Sequence, residues 1–421
     1  MNADTTECSP VPYSHWGLVA SEWRKSWRPG TAALFGVSVC FALYGTIASL
    51  FVMPLQAEFG WTRGQISFAY TFGLVSAFLA PVIGRMSDRF GPRAVILAGI
   101  IVTSLCYAGF SLQSGNLYLY YLLYTVLNIF GLCVTGLTFT KVIVSAFEKT
   151  RGTALAFSRL GLAAVSALLP LALFPVIRNF GTTGGFALLA ALQLAVALPM
   201  ALFWIPRHTS TADCKVAPGM RLSTIFDPVR QNPKVAVLAL AAVCNYAPVV
   251  AIVSQLQPLS IAKGLSSSQS VIVVSLIGIS AGAGALISGY LVDRFWAPLV
   301  AFVLNLIPAV GCLLLLQDQL SPMMIYVLIC FLGLGQGVEV DIVAFMISKY
   351  FRHQDYSTIY GLVVMVIAIG SAVGTALIGM TYDRTGSYNW AIVACAVSFL
   401  LSSLCYLAMG KYPARDTQTL Q

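Results

Sequence analysis

Twelve apolar runs of about 20 residues, separated by short polar stretches, alternate along this 421-residue chain. They fall near 31–55, 66–84, 94–112, 117–145, 153–177, 185–205, 235–257, 270–291, 297–316, 322–348, 358–380 and 390–409. At ~1.5 Å of rise per residue, each run is long enough to cross ~30 Å of hydrocarbon as a helix. The longest polar interruption after the N-terminal segment, 206–234, splits the runs six and six. The pattern therefore predicts an all-α polytopic membrane protein, with twelve transmembrane helices in two six-helix, pseudo-symmetric halves. Its expected parts are an N-terminal segment 1–30, a first bundle 31–205, a central loop 206–234, a second bundle 235–409 and a tail 410–421.

Composition agrees: 58% of residues are hydrophobic and 9% charged, where a soluble domain carries ~25% charged. A net charge of +9 raises nucleic acid as a partner, but the location of the basic residues accounts for it otherwise. The N-terminus, the even-numbered loops and the C-terminus together hold 19 Lys and Arg, and the odd-numbered loops hold 4. That bias is a topogenic signal and predicts both termini in the cytoplasm, with lipid and no nucleic acid as the surroundings. The ten cysteines are scattered, mostly within spans, and show no metal or disulfide spacing. They read as small packing residues, and no metal or cofactor is expected. All seven Trp (16, 23, 27, 61, 204, 296, 390) lie outside spans or near their ends, where interfacial anchors belong. The first 30 residues are polar and show no cleavable signal.

The halves repeat each other. MPLQAEFGWTRGQ (53–65) aligns with QPLSIAKGLSSSQ (257–269), matching Pro54 to Pro258, Gly60 to Gly264 and Gln65 to Gln269. About twenty residues on, GRMSDRF (84–90) aligns with GYLVDRF (289–295), one residue out of step. Six-plus-six repetition with a site between halves is carrier architecture, and nothing in it serves an enzyme: no nucleophile–base pair, metal cluster or phosphate loop is present.

At GRMSDRFGPR the chain resembles the major facilitator superfamily. Gly84, Asp88, Arg89, Gly91 and Arg93 fit that family's loop between spans 2 and 3. The resemblance implies a gating role for this loop, latching the cytoplasmic side in the outward-open state. The plain alternative is that its arginines only set topology. The second copy keeps Asp293 and Arg294 and loses the glycine, which implies a weaker latch there. FGWTRGQIS and the GLGQGVEVDIVAFMISKYF…IYGLVV…DRTGSY segment resemble the oxalate/formate and monocarboxylate carriers, whose bacterial members import small organic acids, aromatic ones included. Spans 8 and 11 lack the basic residues of that pattern, which argues against oxalate. Span 5 lacks the G-x-x-x-G-P-x-x-G-G pattern of drug antiporters. The resemblance implies a monomer in the bacterial inner membrane.

Charges at bilayer depth are costly, at least ~2.5–3.5 kcal/mol on insertion scales, and so point to function. Only Glu339, Asp341 and Arg159 lie deep within spans, and no His does. A carboxylate short of a partner in low dielectric holds a proton near neutral pH, so Glu339 and Asp341 are the candidates for proton coupling. Two residues apart on a helix, they cannot face one cavity together. The Gln336/Glu339 face reads as cavity and the Gly337/Asp341 face as helix contact, with Asp341 equally readable as a buried hydrogen-bond acceptor. Arg159 can hold a substrate carboxylate by its bidentate fork, or form an internal ion pair with one of the two acids. Tyr44, Asn128, Asn245, Tyr246 and Gln336 are the remaining candidate binding groups, each equally readable as an interhelical hydrogen bond. Glycines 278, 282, 284 and 289 in span 8, and 370, 374 and 379 in span 11, read as close helix packing. The expected function is proton-coupled uptake of a small organic monoanion, such as an aromatic acid or ring-cleavage product. An organic-anion exchanger or efflux carrier and a non-transporting ligand sensor are the alternatives.

Overall fold

The computed structural model describes residues 15–147, 151–206, 232–317, 319–351 and 356–412, and every regular element in them is helical. The first pass, α1, is broken into His15–Val39, Phe41–Ile47 and Ser49–Phe59. α2 runs through Arg63–Phe68, the 3-10 turn Ala69–Phe72 and Gly73–Phe90. α3 is Pro92–Ser111, and α4 joins Leu117–Gly131 to Gly136–Ala146 through the 3-10 turn Leu132–Val134. Arg151–Leu192 is helical on both sides of Gly181, which sits at φ 67, ψ −165, and the chain reverses there. A Cβ on Gly185 would touch Ile177, eight residues earlier, whereas a straight helix would separate them by ~12 Å. α5 is thus 151–180, and α6 continues from 182 through a π turn to Trp204. Glu58 closes the reversal, since its carboxylate accepts the Thr182 N–H at 2.8 Å and the Thr182 hydroxyl, an anion on a helix N-terminus.

The second half follows as α7 (Pro233–Ser254 and Leu256–Ala262), α8 (Ser267–Arg294), α9 (Ala297–Leu314), α10 (Pro322–Tyr350), α11 (Tyr356–Thr385) and α12 (Asn389–Ala408). Among the described residues ten helical stretches are long and apolar enough to cross a membrane, and the 45-residue one, Leu160–Trp204, is the α5–α6 pair. α2 completes the twelve passes, as the apolar runs predict.

The sequence repeat has a mechanical meaning. Gly60 and Gly264 both take positive φ, 69° and 96°, ending α1 and α7 where a Cβ would be strained. Two residues on, Thr62 and Ser266 each form a capping box with Gln65 and Gln269. The two repeat-matched glutamines are thus helix starters. At the other end the copies diverge. Gly91 turns α2 into α3 with φ 80°, ψ 150°, whereas Phe295 ends α8 in extended backbone (φ −118°, ψ 165°) that any residue adopts. Trp296, the residue aligned with Gly91, takes φ −62°, ψ 116°, so the second turn spans two residues and needs no glycine.

The bundle has two ends, named here by Gly60 and Gly91. At the Gly60 end a single core draws on both halves: Phe51 and Leu55 of α1, Ile66 of α2, Phe186 of α6, Ile252 and Leu259 of α7, Ile378 of α11. Toward the Gly91 end the core divides. One cluster holds residues of α1 and α3–α6 only, such as Ile100, Phe139 and Ala201; the other holds residues of α7–α12 only, such as Leu238, Ala301 and Met346.

Small residues set the helix contacts. Gly278 and Gly282 of α8 meet Ser166 and Ala163 of α5, while Gly284 and Gly337 bring α8 and α10 together. Gly370 and Gly374 face Val243 and Ala247 of α7, and Gly379 faces the backbone of Arg63. Gly289 is the exception to the packing expected of it, with open space where a side chain would be. Trp61 also departs from expectation: it is buried against Phe59 and Tyr120, a core residue and no lipid anchor.

Candidate functional site

A cavity of about 530 Å³ lies between the halves, within the ~300–1,000 Å³ usual for small-ligand sites. α1, α2 and α4 supply one wall through Tyr44, Thr46, Tyr70, Gly73, Tyr124 and Asn128. α7, α10 and α11 supply the other through Tyr246, Gln336, Val343, Tyr360, Ser371 and Thr375. Toward the Gly60 end the lining stops at Tyr70, Val253 and Thr375; toward the Gly91 end it reaches Tyr360, four residues into α11. The cavity is therefore floored at the joined end and extends into the divided one.

Its first wall is aromatic. The Tyr44 ring lies 5.7 Å from that of Tyr107 and 6.1 Å from that of Tyr124, and Tyr70 lies 5.5 Å from Tyr124. Asn128 donates to the Tyr124 carbonyl at 2.8 Å, and its Oδ1 lies where a side chain on Gly73 would crowd it. On the second wall Ser371 and Thr375 donate to carbonyls of their own helix, at 2.7 Å each. No described lining residue carries a charge. Such a chamber suits a flat apolar or aromatic body with a few hydrogen-bonding groups.

Of the residues singled out in the sequence, Tyr44, Asn128, Tyr246 and Gln336 line this cavity. Asn245 does not. It is 1% exposed, lies off the lining, and neither side-chain atom has a hydrogen-bond partner among the described residues. The side chains of Arg159, Glu339 and Asp341 lie outside the described residues, as do those of Gly84, Asp88 and Asp293. The rest of the loop motif is described. Arg93 donates to the Leu202 carbonyl at 2.6 Å, within its own half. Arg89 and Arg294 lie over the rings of their own neighbours Phe90 and Tyr290.

Sequence reasoning missed Arg63. It stands at the start of α2, 7% exposed, at the seal between the halves. Its Nε donates to Gln56 at 3.1 Å and one terminal nitrogen to Tyr388 at 2.6 Å, while the other approaches the Met53 sulfur at 3.5 Å. The guanidinium lies 3.8 Å from the centre of the Tyr382 ring. Tyr388 donates on to Gln255 at 3.0 Å, and Gln255 donates to Ser67 at 2.7 Å. Asp383 accepts the Gly64 N–H at 2.7 Å. Burial pushes the Tyr388 phenol above its ordinary value, with the Arg63 charge pulling it back, so it remains an O–H donor. One signal was available: the repeat aligns Arg63 with Ser267, a cation where the second copy has none.

The chain matches the family profile of the Major Facilitator Superfamily over residues 33–375 and 238–420. It is 25% identical over 386 residues to monocarboxylate transporter 13 of Bos taurus, covering 89% of this chain and 87% of that protein. It is 25% identical over 403 residues to monocarboxylate transporter 11 of Mus musculus, covering 87% and 84%. Among solved structures, its fold is similar to the nucleoside transporter NupG, with a TM-score of 0.71 at 12% identity over 92% of this chain and 99% of that one. A D-xylose–proton symporter gives 0.72 at 12% identity, covering 92% and 98%.

Proposed function

The chain belongs to the major facilitator superfamily, and from that premise we propose a secondary carrier that moves a small organic monoanion by alternating access, coupled to a proton. The observation that carries the reading is the cavity between halves, walled by tyrosines and amides, in a chain that aligns over most of its length with monocarboxylate transporters. The basic residues cluster on loops of the Gly91 end, so that end is taken as cytoplasmic and the state as inward-facing. The described tyrosine wall favours an acid with an aromatic or apolar body over a compact dianion.

The charged residues fit as follows. Gln336 and Val343 both line the cavity, seven residues apart on α10, and the helical period puts position 339 on the same stripe. Gly337 packs on α8 at Ala281 and Ala285, so position 341, one turn on, belongs to the helix-contact stripe. Ala163 of α5 meets Gly282 of α8, and position 159 is one turn from it toward the Gly91 end. Glu339 is accordingly assigned the proton and Asp341 a supporting or structural acid; Arg159, one turn from the α5–α8 contact, is assigned the carboxylate of the substrate or, when the site is empty, that of one of the two acids. The loop residues Gly84, Asp88, Arg89, Gly91 and Arg93, with Asp293 and Arg294 in the second copy, are assigned to closing the Gly91 end in the opposite state.

Uptake of labelled aromatic and aliphatic monocarboxylates into proteoliposomes, with and without an inward proton gradient, tests this. The gradient should drive accumulation of at least one such acid. Glu339→Gln should abolish the accumulation while sparing counterflow, because glutamine keeps the shape and cannot cycle a proton. Arg159→Lys should weaken affinity, since an ammonium lacks the bidentate fork. Counterflow indifferent to pH in the unmodified protein would make it an exchanger. Binding without flux would make it a sensor.

A further inference from the structure

The circuit at the Gly60 end leaves α2 at Arg63, crosses to Tyr388 at the start of α12, passes to Gln255 at the break in α7, and returns to α2 at Ser67. It begins and ends one helical turn apart in the first half and runs wholly through the second half between. Beside it, Tyr382 of α11 covers the guanidinium and Asp383 caps the first turn of α2. We propose that this cluster is the outer gate of the carrier, with Arg63 as the residue that holds the two halves shut in the inward-facing state. The proposal rests on the alternating-access part of the proposed function and is independent of the substrate.

The chemistry explains why such a gate is both firm and reversible. A buried guanidinium is tolerated only while its donors are satisfied. Arg63 takes Gln56 and Met53 from its own half, and Tyr388 and the Tyr382 ring from the other. Among the described residues no carboxylate lies within ion-pair distance of it, and the nearby Asp383 is engaged with the Gly64 N–H. Parting the halves strips away a phenol and a ring face, neutral partners that water can replace. The gate is one-sided in the repeat: Ser267, the counterpart of Arg63, is exposed at the start of α8.

A reporter tests it without any substrate. Ile378 is 3% exposed, beside the α11–α2 contact at Gly379. With Ile378→Cys in a chain whose native cysteines are replaced by Ser, a membrane-impermeant maleimide is applied from the Gly60 side of oriented vesicles. The reporter should stay protected while Arg63 is intact. Arg63→Gln or Tyr388→Phe should raise its labelling rate by about tenfold, the scale of a lost hydrogen bond to a charged group. Tyr382→Phe keeps the ring and should change little, whereas Tyr382→Leu should open the gate part-way. If Arg63→Gln does not reach the membrane, Tyr388→Phe, which deletes a single hydroxyl, decides. Protection unchanged in folded Tyr388→Phe and Arg63→Gln chains overturns the proposal. The labelling pattern above in a chain that transports none of the tested acids upholds the gate and sinks only the substrate reading.

Discussion

At the Gly60 end, side chains of both halves share one core, and Arg63 is held between Tyr382 and Tyr388 across the seam. At the Gly91 end, the two halves have separate cores, and among the described residues the contacts of Arg93, Arg89 and Arg294 stay within their own half. Both ends carry arginines on helix-joining turns, so the presence of charge does not distinguish them. What differs is which half supplies the partner. A cation satisfied across the seam closes an end, and a cation satisfied within one half leaves it free to open.

The largest way to break this contrast is steric. A Cβ on Gly379 would fall 2.7 Å from the Ser67 hydroxyl and 2.8 Å from the Arg63 carbonyl. Gly379→Leu should wedge α11 from α2, at an overpacking cost of ~1–3 kcal/mol. That is about one to two powers of ten in the closed population. Uptake should fall accordingly at unchanged membrane level, and labelling from the Gly60 side should rise.

A smaller effect separates the two copies of the loop motif. Gly91→Ala forces a Cβ into positive φ and should cost ~1–2 kcal/mol, seen as a lower unfolding temperature of the purified protein. Phe295→Ala, in extended backbone, should carry no such backbone strain; an equal loss from the two variants would refute the geometric reading. The smallest expected change belongs to Asp88→Asn. A charge near a helix end is worth ~0.3–1 kcal/mol, so cysteine labelling from the Gly91 side should increase only a few-fold. No change at all would leave Asp88 a topological role alone.

The passes were legible because each needs a long apolar run, and even the tight α5–α6 reversal at Gly181 left two separate runs in the sequence. The repeat was legible because Gly60, Gly264 and the glutamines of the capping boxes are demanded by backbone geometry. The cavity was only partly so. Tyr44, Asn128, Tyr246 and Gln336 stood out as polar groups in apolar helices and reach it, while Asn245 stood out equally and is buried off the lining. Tyr70 and Tyr124 line the wall and Tyr107 and Tyr120 sit behind it in the core; residue type cannot tell these roles apart. Arg63 was hidden for another reason. Its partners Tyr382 and Tyr388 lie more than 300 positions away, and no local pattern records a contact made across the whole chain.

Alternating access demands that the two ends move in opposition, and spin-label distances measure that most directly. One pair spans the Gly60 end, at the exposed Ser114 of the first half and Arg384 of the second; another spans the Gly91 end, at Ser145 and Lys349, also exposed. In lipid, with Arg63 intact, the Gly60 pair should show a short, narrow distance and the Gly91 pair a longer, broader one. Arg63→Gln should lengthen the first and shorten the second in the same fraction of molecules. A lengthened Gly60 pair with an unmoved Gly91 pair, or no change at either end, would contradict the account.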